Sequence, residues 1–176
     1  MLKTGAALLF VASILPAMVS PLLAVDDEPS RATLKGIKGV YIIVETFQPN
    51  FQDFAKKSGL TREQLEKHAH VRLNEAGIAV LSREEWLTTP GRPVLYINLN
   101  THEGEKYWFA YDVRIELQQI AVMEADPAMK ALVSTWSTNA TGDINVSRLN
   151  RLEEEVARAV DLFVKAHQRA HGVPRP

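Results

Sequence analysis

The stretch YWFAYDVRIELQQIAV, residues 107–122, decides the fold of this chain. From Phe109 to Leu117 every second residue is apolar, and polar or small residues fill the positions between them. A period of two is typical of a β-strand with one buried face and one solvated face. After Leu117 the alternation shifts, so that Ile120 and Val122 become the apolar residues. A shift of this kind predicts a β-bulge or a bend.

Strand, helix and strand signals precede this stretch. Residues 40–44 are apolar on both faces, which indicates a strand in the interior of the sheet. Thr61 and Gln64 form a capping-box pattern that begins a helix, and Gly77 is the expected stop. The short apolar run over residues 78–81 predicts the next strand. It should run parallel to the first, because a helical crossover joins the two.

The rest of the chain predicts an antiparallel meander and a closing helix. Residues 94–101 alternate, and a turn over residues 102–105 leads into the strand quoted above. Residues 132–138 indicate a last strand, and residues 149–166 carry an apolar stripe of helical period. The order β-α-β-β-β-β-α predicts an α+β fold. We expect a two-layer sandwich, in which two helices cover one face of a mixed, mostly antiparallel sheet.

The N-terminal residues differ in composition from the rest. Lys3, the apolar run after it and small residues at its end predict a secretory signal peptide over residues 1–24. An uncleaved membrane anchor is the alternative. Residues 25–35 are polar and have no period, which predicts a disordered lead. We expect a single α+β domain over residues 36–171 and a flexible tail over residues 172–176.

The composition excludes several classes of function. The chain has 176 residues, a formal net charge of -1 and no cysteine. A chain without cysteine has no disulfide, no thiol nucleophile and no thiolate metal site. Lysine and arginine are scattered, so we expect no nucleic-acid partner. An exported chain without cysteine suits a bacterial periplasm. We therefore predict a periplasmic or secreted protein with no stable membrane insertion after signal cleavage.

The patterns that could indicate a metal site or a nucleophile are weak. His167 and His171 share a helix face, but the sequence places no third ligand nearby. His102 lies in a turn and is a weak surface candidate. Ser134 and Ser137 lie on a strand and not at a sharp strand-to-helix turn. We therefore predict no metal, no cofactor and no catalytic residue. Two alternatives remain: a small-ligand carrier, and a small hydrolase whose site assembles only in three dimensions.

The polar face of the central hairpin is the candidate binding site. We expect it to present six side chains, namely Tyr96, Asn98, Asn100, Asp112, Arg114 and Glu116. One interpretation is a charge ladder that keeps an uncovered sheet face soluble. The other is a recognition surface for another envelope protein or for a second copy of the chain. The guanidinium of Arg114 would then donate two parallel hydrogen bonds to a carboxylate of the partner.

This second interpretation makes the chain a non-catalytic interaction or envelope-associated domain. It predicts that Arg114→Glu weakens association with little change in stability. Trp108 and Trp136 are either aromatic anchors of the same surface or core residues.

Four segments resemble a family of small exported bacterial proteins: Gly77–Glu85, residues 93–99, residues 111–117 and Thr135–Thr138 before a long closing helix. The resemblance covers most of residues 36–170 and implies the fold and the compartment. It implies no activity and no site residue. More loosely, the element order is similar to that of α/β domains of envelope proteins such as the N-terminal domain of TolB and CsgG. A shared architecture does not imply a shared function.

Overall fold

The computed structural model describes residues 26–172 and shows one mixed sheet. Its strands are β1 (Gly39–Val44), β2 (Ala79–Val80), β3 (Val94–Glu103), β4 (Trp108–Met123) and β5 (Asp126–Asn145). They lie in the order β2-β1-β3-β4-β5. β1 pairs in parallel with β2 and with β3, and β3, β4 and β5 form an antiparallel meander. The predicted α+β fold is confirmed.

The two predicted amphipathic helices pack side by side on one face of this sheet. The helices of the described residues are α1 (Glu28–Ala32), α2 (Pro49–Ser58), α3 (Arg62–Glu75), α4 (Arg83–Thr88) and α5 (Leu152–Ala170). A 3-10 helix, Val146–Arg151, precedes α5. The Arg72 guanidinium on α3 donates to both carboxylate oxygens of Asp161 on α5, at 2.6 and 2.8 Å. The sheet and the layer of α3 and α5 therefore form the predicted two-layer arrangement.

The core fills the space between this helical layer and the sheet. Four alternating residues of β4 are buried there: Phe109, Val113, Ile115 and Leu117. The rings of Trp136 on β5 and Phe163 on α5 meet edge to face, with centroids 5.5 Å apart. Burying a side chain of this size stabilises the fold by roughly 1.5–3 kcal/mol. The alternation that predicts β4 from the sequence thus also identifies the β4 side chains that are buried in the core.

A β-bulge interrupts the β4–β5 ladder at the predicted place. Leu117 pairs with Trp136, whereas Gln118 pairs with Ser134, so that Thr135 is the extra residue. The bulge is therefore in β5, and the side chains of β4 continue to alternate between the two faces. The apolar residues of β4 beyond the bulge consequently lie on the face opposite the core.

α4 packs on that opposite face, at one end of the sheet. Its Trp86 stacks on Tyr41 of β1, with ring centroids 5.3 Å apart. Tyr41 alternates with the core residues Val40 and Ile42, which places it on the opposite face. The Trp86 indole Nε1 donates to the Arg92 carbonyl at 2.8 Å and fixes the helix there. α4 covers this end of the face and leaves the centre of the meander exposed.

Residues 26–35 are folded, so the prediction of a disordered lead is wrong for them. α1 forms within this segment, and Leu34 after it is fully buried. Asp26 accepts hydrogen bonds of 2.7 Å from the Trp136 indole and from Arg31. One short helix with a single buried leucine gives no repeating pattern, and periodicity is the main signal that sequence provides.

Two further features of the chain concern its ends. The predicted signal peptide over residues 1–24 lies outside the described residues, as do residues 173–176 of the predicted tail. Within residues 26–172, no helix has the length and apolar character needed to span a membrane.

Candidate binding surface

The pairing of β3 with β4 brings all six predicted binding residues to one face of the sheet. The register pairs Tyr96 with Glu116, Asn98 with Arg114 and Asn100 with Asp112. No helix of the described residues covers these side chains, which lie beyond the end of the sheet that α4 occupies. The face that these six residues form is called the open face below.

β5 contributes to the open face two polar side chains, Asn139 and Thr141, that lie beyond the predicted end of the last strand. Asn139 lies opposite Arg114, and its Nδ2 donates to Asp112 Oδ1 at 3.3 Å. Thr141 lies opposite Asp112. Both residues follow Thr138, where the last strand was expected to end. β5 continues to Asn145, and this longer strand widens the face.

Hydrogen bonds hold several side chains of the open face in place. The Tyr96 hydroxyl donates to the Glu45 carboxylate. Burial, aided by this hydrogen bond, raises the pKa of Tyr96 to about 12. The same hydrogen bond lowers the pKa of Glu45, so the proton stays on the tyrosine. Gln48 donates to Asn100 Oδ1 and accepts from the Thr101 backbone N–H at 3.2 Å.

Arg114 is the exposed cation at the centre of this network. Its side chain is 52% exposed, and its nitrogen atoms lie 3.9 Å from Asp112 Oδ2 and 3.7 Å from Glu116 Oε1. Both distances exceed that of a hydrogen bond, so the ion pairs are loose and contribute about 0–1 kcal/mol each. The carboxylates of Asp112 and Glu116 flank this guanidinium, whereas Glu45, beside Tyr96, has Arg62 as a neighbouring cation. The surface immediately around Arg114 is therefore acidic.

Asn98 lies beside Arg114 at the centre of the open face. Its Oδ1 atom is buried and accepts no hydrogen bond from a described residue. Buried polar atoms without a partner are uncommon in folded proteins. The central position of the face therefore has incomplete internal hydrogen bonding.

The hydrolase alternative requires a nucleophile beside a base, and the open face does not provide that pair. His102 and Asp112 line one shallow depression of about 510 Å³, together with Thr141 and Asp143. No serine lines it, and no hydrogen bond joins His102 to Asp112 within the described residues. Nucleophilic catalysis needs those groups within hydrogen-bond reach. The described residues therefore do not bring a serine, His102 and Asp112 together at this depression.

His167 and His171 fasten α5 to the chain before β1. His167 Nε2 donates to the Ile37 carbonyl at 2.7 Å, and His171 Nε2 accepts from the Gly36 N–H at 3.2 Å. Their rings stack with centroids 4.1 Å apart. Burial lowers the pKa of His167, which favours the neutral ring. No group of three or more side chains suited to a metal occurs within residues 26–172.

The two candidate tryptophan anchors have different environments. Trp136 is fully buried in the core, whereas Trp108 is 50% exposed at the start of β4. The sequence alone could not separate them, because both lie on strands among polar and apolar neighbours. Only Trp108 is accessible to a ligand or partner.

No protein-family model and no curated protein matches the chain. The fold is similar to a crystal structure of a minor lipoprotein from Acinetobacter baumannii, with a TM-score of 0.32 and 11% sequence identity. The match covers 77% of this chain and 94% of that chain. So weak a likeness carries no argument about function, and the family resemblance drawn from the sequence remains a prediction.

Proposed function

We propose that this protein is a non-catalytic interaction domain of the bacterial envelope and that its open face binds another protein. The observation that supports binding is the ordered polar network around an exposed Arg114. Tyr96, Asn100 and Asp112 each take part in a hydrogen bond to a neighbouring side chain. Side chains that are fixed before binding lose less conformational entropy on association.

The location in the envelope rests on the sequence. Residues 1–24 have the basic start, apolar run and small-residue end of a secretory signal peptide. The absence of cysteine suits a bacterial compartment in which disulfides are optional. These two features support an exported bacterial protein.

Charge on the open face indicates the chemistry of the partner. Asp112 and Glu116 flank Arg114, so the surface immediately around it is acidic and attracts a partner with a basic surface. One carboxylate on that partner would pair with the free donors of Arg114. A second copy of the chain would bring the same acidic surface to a symmetric interface, where like charges repel. A different protein is therefore the favoured partner.

The test is the substitution Arg114→Gln, which removes the charge and keeps a polar side chain. Arg114→Glu is less clean, because a carboxylate at this position would stand beside Asp112 and Glu116. Tagged wild type and variant are isolated from the native envelope, and the yield of the co-purifying protein is compared. Arg83→Gln, an exposed substitution on α4, is the control.

We expect Arg114→Gln to reduce the yield by about ten-fold, since a hydrogen bond to a charged group contributes about 1.5–3 kcal/mol. The melting temperature should change by no more than a few degrees, as expected for loose surface ion pairs. An unchanged yield at unchanged stability would leave the face as a solvated charge ladder. Recovery of the chain itself as the partner would contradict binding to a different protein and would indicate self-association.

A further inference from the structure

A cavity of about 460 Å³ lies where the end of β5 meets the 3-10 helix and α5. None of the six residues that define the open face lines it. β4 contributes Trp108 and Tyr111, the 3-10 helix contributes Arg148 and Arg151, and α5 contributes Glu155. A cavity of this size is within the range that binds small ligands, about 300–1,000 Å³.

Gly142 lets the Tyr111 ring lie across β5. Gly142 pairs with Tyr111, and a Cβ atom on residue 142 would lie 2.8 Å from the Tyr111 hydroxyl oxygen. That separation is too short for real atoms, so only glycine leaves room for the ring. Burial and the neighbouring Glu155 carboxylate raise the pKa of Tyr111, which keeps its hydroxyl protonated. The glycine that interrupts the polar pattern of β5 therefore has a role in shaping this cavity.

The charged groups of the cavity favour an anion. Arg148 and Arg151 form no ion pair with any other residue between 26 and 172, whereas Glu155 is paired with Arg158. Asp143 is the remaining carboxylate in the lining. Two free guanidinium groups against one free carboxylate give a net positive site. Arginine binds carboxylate through two parallel hydrogen bonds.

The aromatic and hydroxyl groups indicate what carries that anion. Trp108 presents a half-exposed indole, an apolar plate with a polar edge. Asn145 and Ser147 add amide and hydroxyl groups to the lining. A cavity with one flat apolar plate and many hydrogen-bonding groups suits a hydroxyl-rich ring better than a purely apolar ligand, because each buried polar group needs a partner.

We propose that this cavity binds a sugar acid, that is, a saccharide ring bearing a carboxylate. The ring stacks on Trp108, and the carboxylate pairs with Arg148 and Arg151. The ring hydroxyls exchange hydrogen bonds with Tyr111 and Asp143. This proposal stands apart from the role of the open face, since the two surfaces use different charged residues.

The test is calorimetric titration of the full chain with N-acetylmuramic acid, a sugar that carries a carboxylate. N-acetylglucosamine, the same ring without the lactyl ether that carries the carboxylate, is the ligand control, and inorganic phosphate tests the anion alone. Arg148→Gln and Arg151→Gln are compared with Arg83→Gln, which lies outside the cavity. Thermal unfolding of each variant establishes that it is folded.

We expect one molecule of N-acetylmuramic acid to bind per chain. Each cavity substitution should weaken binding by about ten-fold, while Arg83→Gln leaves it unchanged. N-acetylglucosamine should bind more weakly than the acid. The absence of binding at millimolar concentration, equal binding of both sugars, equal binding of phosphate, or an affinity unaffected by Arg148→Gln and Arg151→Gln would each overturn the proposal.

Discussion

The Trp136 indole Nε1 donates a hydrogen bond of 2.7 Å to the Asp26 carboxylate and so joins the first described residue to the centre of the core. Arg31 donates to the same carboxylate. Burial favours the neutral form of Asp26, but the hydrogen bonds from Arg31 and Trp136 outweigh it and lower the pKa of Asp26. The segment before β1 is thus part of the folded unit.

Asp26→Ala should lower the free energy of unfolding by about 1–3 kcal/mol, because the buried Trp136 indole loses its acceptor. Urea denaturation measures the difference, with the exposed Glu28→Ala as control. The folded pKa of Asp26 lies below its ordinary value of 3.8. The contribution of the Asp26 carboxylate to the free energy of unfolding is therefore present above pH 3.8 and is lost as the pH falls through the pKa of Asp26 in the folded chain. Equal stability of both variants would contradict this role.

The sequence predicts best those features that repeat along the chain. The alternation from Phe109 to Leu117 predicts β4 and the open face, because the period of a strand separates its two faces. The phase shift after Leu117 predicts a bulge at the right height in the sheet, but the structure places it in β5. Thr61 predicts the start of α3, because its capping box is a local signal. The contact of Asp26 with Trp136 spans 110 positions and depends on the tertiary fold, so no local pattern reports it.

The two candidate sites also differ in whether a local sequence pattern predicts them. The six residues of the open face follow from strand alternation and hairpin register. The cavity beside β5 does not, because it depends on Tyr111 crossing Gly142 and on a 3-10 helix placed against the strand end. A glycine within a strand is a sequence signal for close approach of another group, but it does not say which group approaches.

Gly142→Ala should lower the free energy of unfolding by about 1–3 kcal/mol, because the new methyl group meets the Tyr111 ring. The same substitution in a Tyr111→Ala background should cost less, since the ring is then absent. A double-mutant cycle measured by urea denaturation isolates this coupling. Equal costs in the two backgrounds would show that the ring is not the cause.

Protonation of His167 should lower the free energy of unfolding in mild acid. Burial lowers the pKa of His167 below its ordinary value of 6.5, so the unfolded chain takes up the proton more readily than the folded chain. The contribution of neutral His167 to the free energy of unfolding is therefore fully present above pH 6.5 and declines as the pH falls through the lower pKa of the folded chain. His167→Gln should flatten this part of the profile in thermal unfolding, whereas the exposed His102→Gln should leave it unchanged. Identical profiles for both variants would refute the assignment.

Tyr96→Phe should raise the pKa of Glu45 toward its ordinary value of 4.5, because the phenol hydroxyl is the main donor that stabilises the carboxylate. Carboxyl titration by NMR measures the change, with Tyr107→Phe as an exposed control. The contribution of Glu45 to stability is present above pH 4.5 and is lost as the pH falls through the lower folded value. An unchanged Glu45 titration in Tyr96→Phe would mean that the hydroxyl does not order this side of the open face.

The most direct test of the interaction role is site-specific photo-crosslinking in the native envelope. A benzophenone side chain is placed at Thr141, which is exposed on the open face, and at Glu66, which is exposed on α3. We predict one discrete adduct from position 141, none from position 66, and loss of the adduct in the Arg114→Gln background. The identified partner, once purified, should bind the domain with an affinity that falls as salt rises. The same adducts from both positions, or an adduct that Arg114→Gln leaves unchanged, would contradict binding of a partner at the open face.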